Sequence, residues 1–268
     1  MFSLEKAMGA MQGIARQVGT LQRENLGRQD LVMNRKSTSI DLVTEIDRAS
    51  DDLIVGFLKQ EYPDHAILAE ESGESGQESE YRWVIDPLDG TTNYAQGLPI
   101  FAVSIALEYR RKAVLGIVYE PVTDEMFTTI SGQGAYCNGK RLHIADKTEL
   151  IDCVLATGFP YDIATHPVNN IDYFISMAPK ARAIRRMGAA AYDLACVASG
   201  HFDGFWEMAL SPWDAAASAL LVKEAGGVVW PFRNDRKISI VAGNECVSRQ
   251  IMDVLRQVDH LVEPDLKC

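Results

Sequence analysis

The chain has 268 residues, 47% of them hydrophobic, and a formal net charge of −11. That is enough apolar material for one large domain or two intimate subdomains. The acidic balance argues against a general nucleic-acid surface or an anionic membrane face, because both need a basic patch. No run reaches the ~18 apolar residues of a membrane span. The N-terminal stretch, broken early by Glu5 and Lys6, has no long apolar core of the secretory kind. The cysteines Cys137, Cys153, Cys196, Cys246 and Cys268 form no CxxC pair and read as free thiols of a cytoplasmic protein.

In chain order, helical spacing runs over 3–25 through Leu4, Ala7, Met8, Met11, Ile14, Ala15, Val18 and Leu21. A second helix is predicted from a Thr44 cap, with Asp47 three residues on, to a stop at Pro63. "HAILAEE" predicts a short strand, Ala66 to Ala69, running into Glu70 and Glu71. Residues 71–81 read as a solvated, mobile acidic loop that abuts the site, with a gate as the alternative reading. "IFAVSIALEY", "AVLGIVYEP" and "EMFTTI" predict a three-strand meander.

Beyond residue 146 strands and helices alternate, the mark of layered α/β structure. "CVLATG", "AIRRM", "DGFWEM" and "ISIVAGN" are the predicted strands. Helices are predicted over 168–179, in "GAAAYDLACVASG", in "SPWDAAASALLVKEAGG" with Ser211 as cap and Pro212 first, and over 245–258. No linker separates the halves, so subdomains 1–146 and 147–268 sharing an interface are expected.

The chemistry concentrates in acids at element ends: Asp41, Glu45 and Asp47, then Glu70 and Glu71, Asp86 and Asp89, and Asp214. Each one alone has an ordinary explanation as a helix cap or a solvated loop residue, Asp214 above all, since an acid in a first helical turn complements the macrodipole. Taken together they favour a hard divalent cation, which takes carboxylate, carbonyl and water oxygens. In "WVIDPLDGTTNY" Pro87 stiffens the turn between two acids, and Gly90, Thr91 and Thr92 offer amides and hydroxyls just beyond. A helix starting there would make an anion site. Cations beside an anion pocket point to phosphate chemistry. His65, His143, His166, His201 and His260 are scattered without zinc-ligand spacing, and there is no nucleophile elbow or P-loop.

"DLVTEID", "AEES", "WVIDPLDGTTNY" and "SPWDAAASALLVKEAGG", in this order, resemble the inositol monophosphatase family over nearly the whole chain, and "ATGFPY", "RRMGAAAYDLACVASG" and "DGFWE" resemble its bacterial branch. The resemblance implies an α-β-α-β-α sandwich, a homodimer, and a Mg²⁺-dependent, lithium-sensitive phosphomonoesterase with two or three ions. It implies Glu70, Asp86 and the Leu88 carbonyl as ligands of one ion, Asp86, Asp89 and Asp214 of a second, and Glu70 with waters for a weaker third. Thr91, with Asp47 behind it, is implied to orient the attacking water, and the Gly90 and Thr91 amides to hold the phosphate. Glu207 would read substrate hydroxyls, beside a backbone contact at Ala190. Two departures stand out: Ala189 replaces a usual Ser or Thr, and 229–240 is short, which predicts a tight hairpin.

The resemblance implies myo-inositol 1-phosphate as substrate. Its relatives also act on fructose 1,6-bisphosphate, 3′-phosphoadenosine 5′-phosphate, histidinol phosphate and nucleotides, and some bacterial relatives bind the transcription machinery. A complete acid set argues for an enzyme over a pure binding protein.

Overall fold

The computed structural model describes residues 2–38 and 40–258; His260 and Cys268 lie outside the described residues. Helix α1 (Leu4–Asn25) is capped by Ser3 and buries Ala7, Met11, Ile14, Ala15 and Val18. A small hairpin, β1 (Met33–Arg35) and β2 (Leu42–Thr44), leads into α2 (Glu45–Glu61), whose Thr44–Asp47 capping box is the predicted one. The chain then forms β3 (Ala66–Ala69), β4 (Gly73–Gly76), β5 (Tyr81–Asp89) and the short α3 (Thr91–Ala95). Next come β6 (Ala102–Tyr109), β7 (Lys112–Glu120), β8 (Glu125–Ile130), β9 (Ala135–Cys137) and β10 (Lys140–Arg141). Together these strands make an eight-stranded sheet in the order β10-β9-β8-β7-β6-β5-β3-β4.

The second sheet is built later in the chain from β11 (Val154–Thr157), β12 (Ala183–Arg185), β13 (Gly204–Leu210), β14 (Val228–Arg233) and β15 (Ile238–Gly243). Its order is β12-β11-β13-β15-β14. Helices α4 (Ile171–Met177), α5 (Ala190–Ala198), α6 (Pro212–Glu224) and α7 (Glu245–Val258) complete the fold.

Alternation along β6 shows how the layers form. Val103, Ile105 and Leu107 join a core with α1 and α2, whereas Ala102 and Ala106 join one with α5, α6 and the second sheet. A third core, with Tyr173, Trp206, Val247 and Ile251, places α4 and α7 on the outer face of that sheet. The order is therefore α-β-α-β-α. Full burial of each of Ile85, Ile105 and Ile117 contributes about 1.5–3 kcal/mol. The central helix approaches the first sheet closely: a Cβ on Gly116 of β7 would stand 2.8 Å from the Ala217 carbonyl oxygen of α6.

Two expectations are corrected. Residues 73–76 are not part of a free loop but an edge strand paired antiparallel with β3. That pairing ties the segment to the sheet, and it contributes no lining to the cleft described below. The helix expected over 168–179 spans only Ile171–Met177, because Asn170 turns into the left-handed region just before it (φ 75°). The shortened segment forms the expected hairpin, β14 and β15 joined by residues 234–237.

Candidate active site

A cleft of about 650 Å³ opens where β5, α5 and α6 meet. Strand β5 shapes it. Asp86 pairs with Ser104 of β6 and Asp89 with Ala102, so three steps on β5 match two on β6. In a regular strand, residues three apart face opposite sides; the bulge brings both carboxylates to one side. Gly90 then turns back with φ 96°, and a Cβ there would stand 2.9 Å from the Ile100 carbonyl oxygen. Glycine is required at that position, and the first amides of α3 follow it with no partner inside the helix.

Glu70, Asp86, Leu88, Asp89, Gly90, Thr91, Ala190, Glu207 and Asp214 all line this cleft. Asp47 stands one hydrogen bond behind it, its Oδ1 accepting from the Thr91 hydroxyl at 2.8 Å. Its other oxygen accepts from the Thr44 amide at 2.9 Å. Asp214 Oδ2 likewise accepts from the Ser211 amide at 2.7 Å, closing the cap of α6. Asp89 accepts from the Ala190, Ala191 and Tyr192 amides at the start of α5, at 3.0, 2.8 and 3.2 Å. The Ala190 N–H is therefore engaged by Asp89. Capping and convergence on the cleft are properties of the same side chains.

The acids destabilise one another's charge. Burial, then Glu70, Asp89 and Asp214, push the Asp86 carboxyl well above the usual range. Burial raises Asp89 to about 7 against the pull of three amides. Asp214 is raised well above its usual value by burial and Glu70. Burial and then Asp214 and Asp89 push Glu207 up to about 8. Such a cluster calls for a cation, and one is present: Lys36 Nζ lies 2.8 Å from Glu70 Oε1 and also contacts Glu71. The side chains as placed draw no three acid, His or Cys groups into a closed ligand shell among the described residues, because Glu70 is turned to Lys36, Asp89 to α5 and Asp214 to Ser211. The donor set, all oxygen and held on rigid element ends with an ammonium standing in, fits a hard divalent cation.

Away from the acids, Arg236 forks onto both oxygens of Asp162 at 2.7 and 2.9 Å, tying two loops of the far wall. Glu207 packs against Gly158, where a Cβ would come within 2.0 Å of its Oε1. Sequence reasoning did not single out Lys36, Arg186 or Asp193, all in the cleft lining. Asp193 had a readable signal, an acid inside the apolar run "AAYDLACVA". Lys36 had none. His166 also lines the cleft, with Nδ1 accepting from the Val168 amide at 3.1 Å. The four described cysteines are free thiols, and no described helix is long and apolar enough to cross a membrane.

The chain is 42% identical to the Nus factor SuhB of Pseudomonas aeruginosa over 94% of its length and 96% of the relative's. It is 39% identical to an inositol-1-monophosphatase of Mesorhizobium japonicum over 95% of its length and 94% of the relative's. The solved structure of inositol monophosphatase from Anabaena (Nostoc) superposes with a TM-score of 0.86 at 36% identity, covering 96% of this chain and 98% of that one. The sequence profile of the inositol monophosphatase family matches residues 3–259. The chain belongs to the inositol monophosphatase family of phosphatases.

Proposed function

We propose that the chain hydrolyses the phosphate monoester of a small polyol, myo-inositol 1-phosphate foremost, with Mg²⁺ held by the carboxylate cluster. The observation that carries this reading is the convergence of Glu70, Asp86, Asp89 and Asp214 on one cleft beside the Thr91–Asp47 pair. Glu70, Asp86 and the Leu88 carbonyl would hold one ion, Asp86, Asp89 and Asp214 a second, and Glu70 with waters a third. Bound there, the ions supply charge stabilisation for the phosphoryl oxygens and a more acidic water.

The protein's own groups do the rest. The Thr91 hydroxyl donates to Asp47, so its lone pairs face the cleft and accept from the attacking water, fixing its direction. The amides of Gly90 and Thr91 bind the phosphate oxygens. Glu207 makes no hydrogen bond or ion pair among the described residues, which leaves its oxygens available to substrate hydroxyls. That favours a polyol over an adenine nucleotide. A homodimer in the cytoplasm and inhibition by lithium belong to the same reading.

A panel of phosphate-release assays with Mg²⁺ tests it. Myo-inositol 1-phosphate should show the highest kcat/KM; a nucleotide or fructose 1,6-bisphosphate in first place would replace the substrate. The relatives named Nus factor support a second, additional role with the transcription machinery. Co-purification with RNA polymerase complexes that survives loss of the metal acids would support it.

A further inference from the structure

Asp193 stands in the first turn of α5, is 1% exposed, and lines the cleft with Glu207 and Arg186. Its Oδ1 is sealed from solvent with no hydrogen-bond partner among the described residues. It does not cap its helix: that place is taken by Asp89, which accepts the first three amides of α5. Nor does it complete an ion pair with Arg186, whose guanidinium acts on both Asp193 and Glu207 from a distance. Burial, then Glu207 and Asp89, raise its carboxyl well above the usual range. A buried carboxyl without a partner is destabilising. In a cleft wall such a group marks a place where a bound molecule can satisfy it.

Resting on the polyol reading above, we infer that Asp193 is a specificity residue, paired with Glu207 as a two-point acceptor for two neighbouring hydroxyls of the substrate's alcohol. Several features support the pairing. The two acids come from different elements, α5 and β13, line the same cleft, and stand close enough for Glu207 to act on the Asp193 carboxyl. Gly158 leaves room for the Glu207 carboxylate. Arg186 supplies the one cation felt by both. A single acceptor accommodates any alcohol that carries one hydroxyl, whereas two fixed acceptors discriminate for a diol of set geometry. Leaving a buried acceptor unmatched by substrate is what gives polar sites their selectivity. The ligand class is therefore a phosphate monoester whose alcohol carries vicinal hydroxyls near the ester.

The test uses Asp193→Asn, with Asp193→Ala as a second variant, assayed with saturating Mg²⁺ on myo-inositol 1-phosphate and on p-nitrophenyl phosphate, which offers no hydroxyls. The expected result is a fall of roughly 10-fold or more in kcat/KM for the inositol ester, mainly through KM, with p-nitrophenyl phosphate hydrolysis little changed. Melting of the metal-free Asp193→Asn variant should stay close to the wild-type temperature, because the substitution breaks no hydrogen bond made by that oxygen. A structural acid would behave oppositely. Equal falls on both substrates, no change on either, or a lowered melting temperature in both variants each overturn the assignment. A wild-type protein that hydrolyses p-nitrophenyl phosphate but prefers a non-polyol ester refutes the substrate reading instead, and the two failures are distinct.

Discussion

Lys36 Nζ lies 2.8 Å from Glu70 Oε1, an ammonium brought 34 positions along the chain to an acid that faces the cleft. It sits just beyond the hairpin strand β1 and also contacts Glu71, whose carboxyl burial raises to about 7 although Lys36 opposes the shift. Lys36 is thus an internal counter-ion at a place suited to a metal. Lys36→Met should lower the metal-free melting temperature, by the equivalent of about 1 kcal/mol. It should also enlarge the rise on adding Mg²⁺, since one competitor for Glu70 is gone. Thermal melts with and without Mg²⁺ read both effects; an unchanged Mg²⁺ increment would show that Lys36 does not compete for the ion.

Thr91 and Asp47 form the second pair. With the hydroxyl hydrogen committed to Asp47, only the oxygen lone pairs can meet water. Thr91→Val removes that acceptor and should cut kcat about 10²-fold while leaving KM nearly unchanged. Thr91→Ser should recover most of the loss. If Ser fails to restore turnover while the protein remains folded, the hydroxyl is not the working group.

Asp86 is 2% exposed and surrounded by Glu70, Asp89 and Asp214. Asp86→Asn preserves shape and removes one charge. Turnover in Mg²⁺ should drop at least ~10²-fold, worth roughly 2.7 kcal/mol of barrier. Near-normal kcat in this variant would end the assignment of Asp86 as a shared ligand. Calcium should bind to the wild-type protein yet sustain little turnover, because its larger and looser shell misplaces water.

The acid cluster also sets a pH dependence. Burial leads the shifts of Asp89 and Glu71 to about 7 and of Glu207 to about 8, against about 4 in an unfolded chain. Between these limits the folded protein keeps protons that the unfolded chain has released, so stability falls as pH rises. The metal-free melting temperature should therefore decline from pH ~5 to ~8. The increment from Mg²⁺ should grow over the same range, since the ion needs the acids ionised. Differential scanning fluorimetry across this range, with and without Mg²⁺, checks it; a metal-free melting temperature that climbs with pH contradicts the proposed burial of these charges.

Most of the helices and the meander were legible from local patterning, as were the Thr44 and Ser211 caps, because those signals lie within a few residues of one another. So were the four acids and Thr91, each at the end of an apolar element and set in a motif. Strand β4 was not legible: "GESG" has the composition of a loop, and only pairing with β3 makes it a strand. The bulge that turns Asp86 and Asp89 to one side depends on register with β6, which no local pattern states. Lys36 and Arg186 carry no motif, and Asp193 was an anomaly without a destination. Spacing along the chain reveals which side chains are able to do chemistry. Which of them share a low-dielectric cleft, and so alter one another's charge, depends on the packing of sheet against helix, a long-range property that appears only when the layers close.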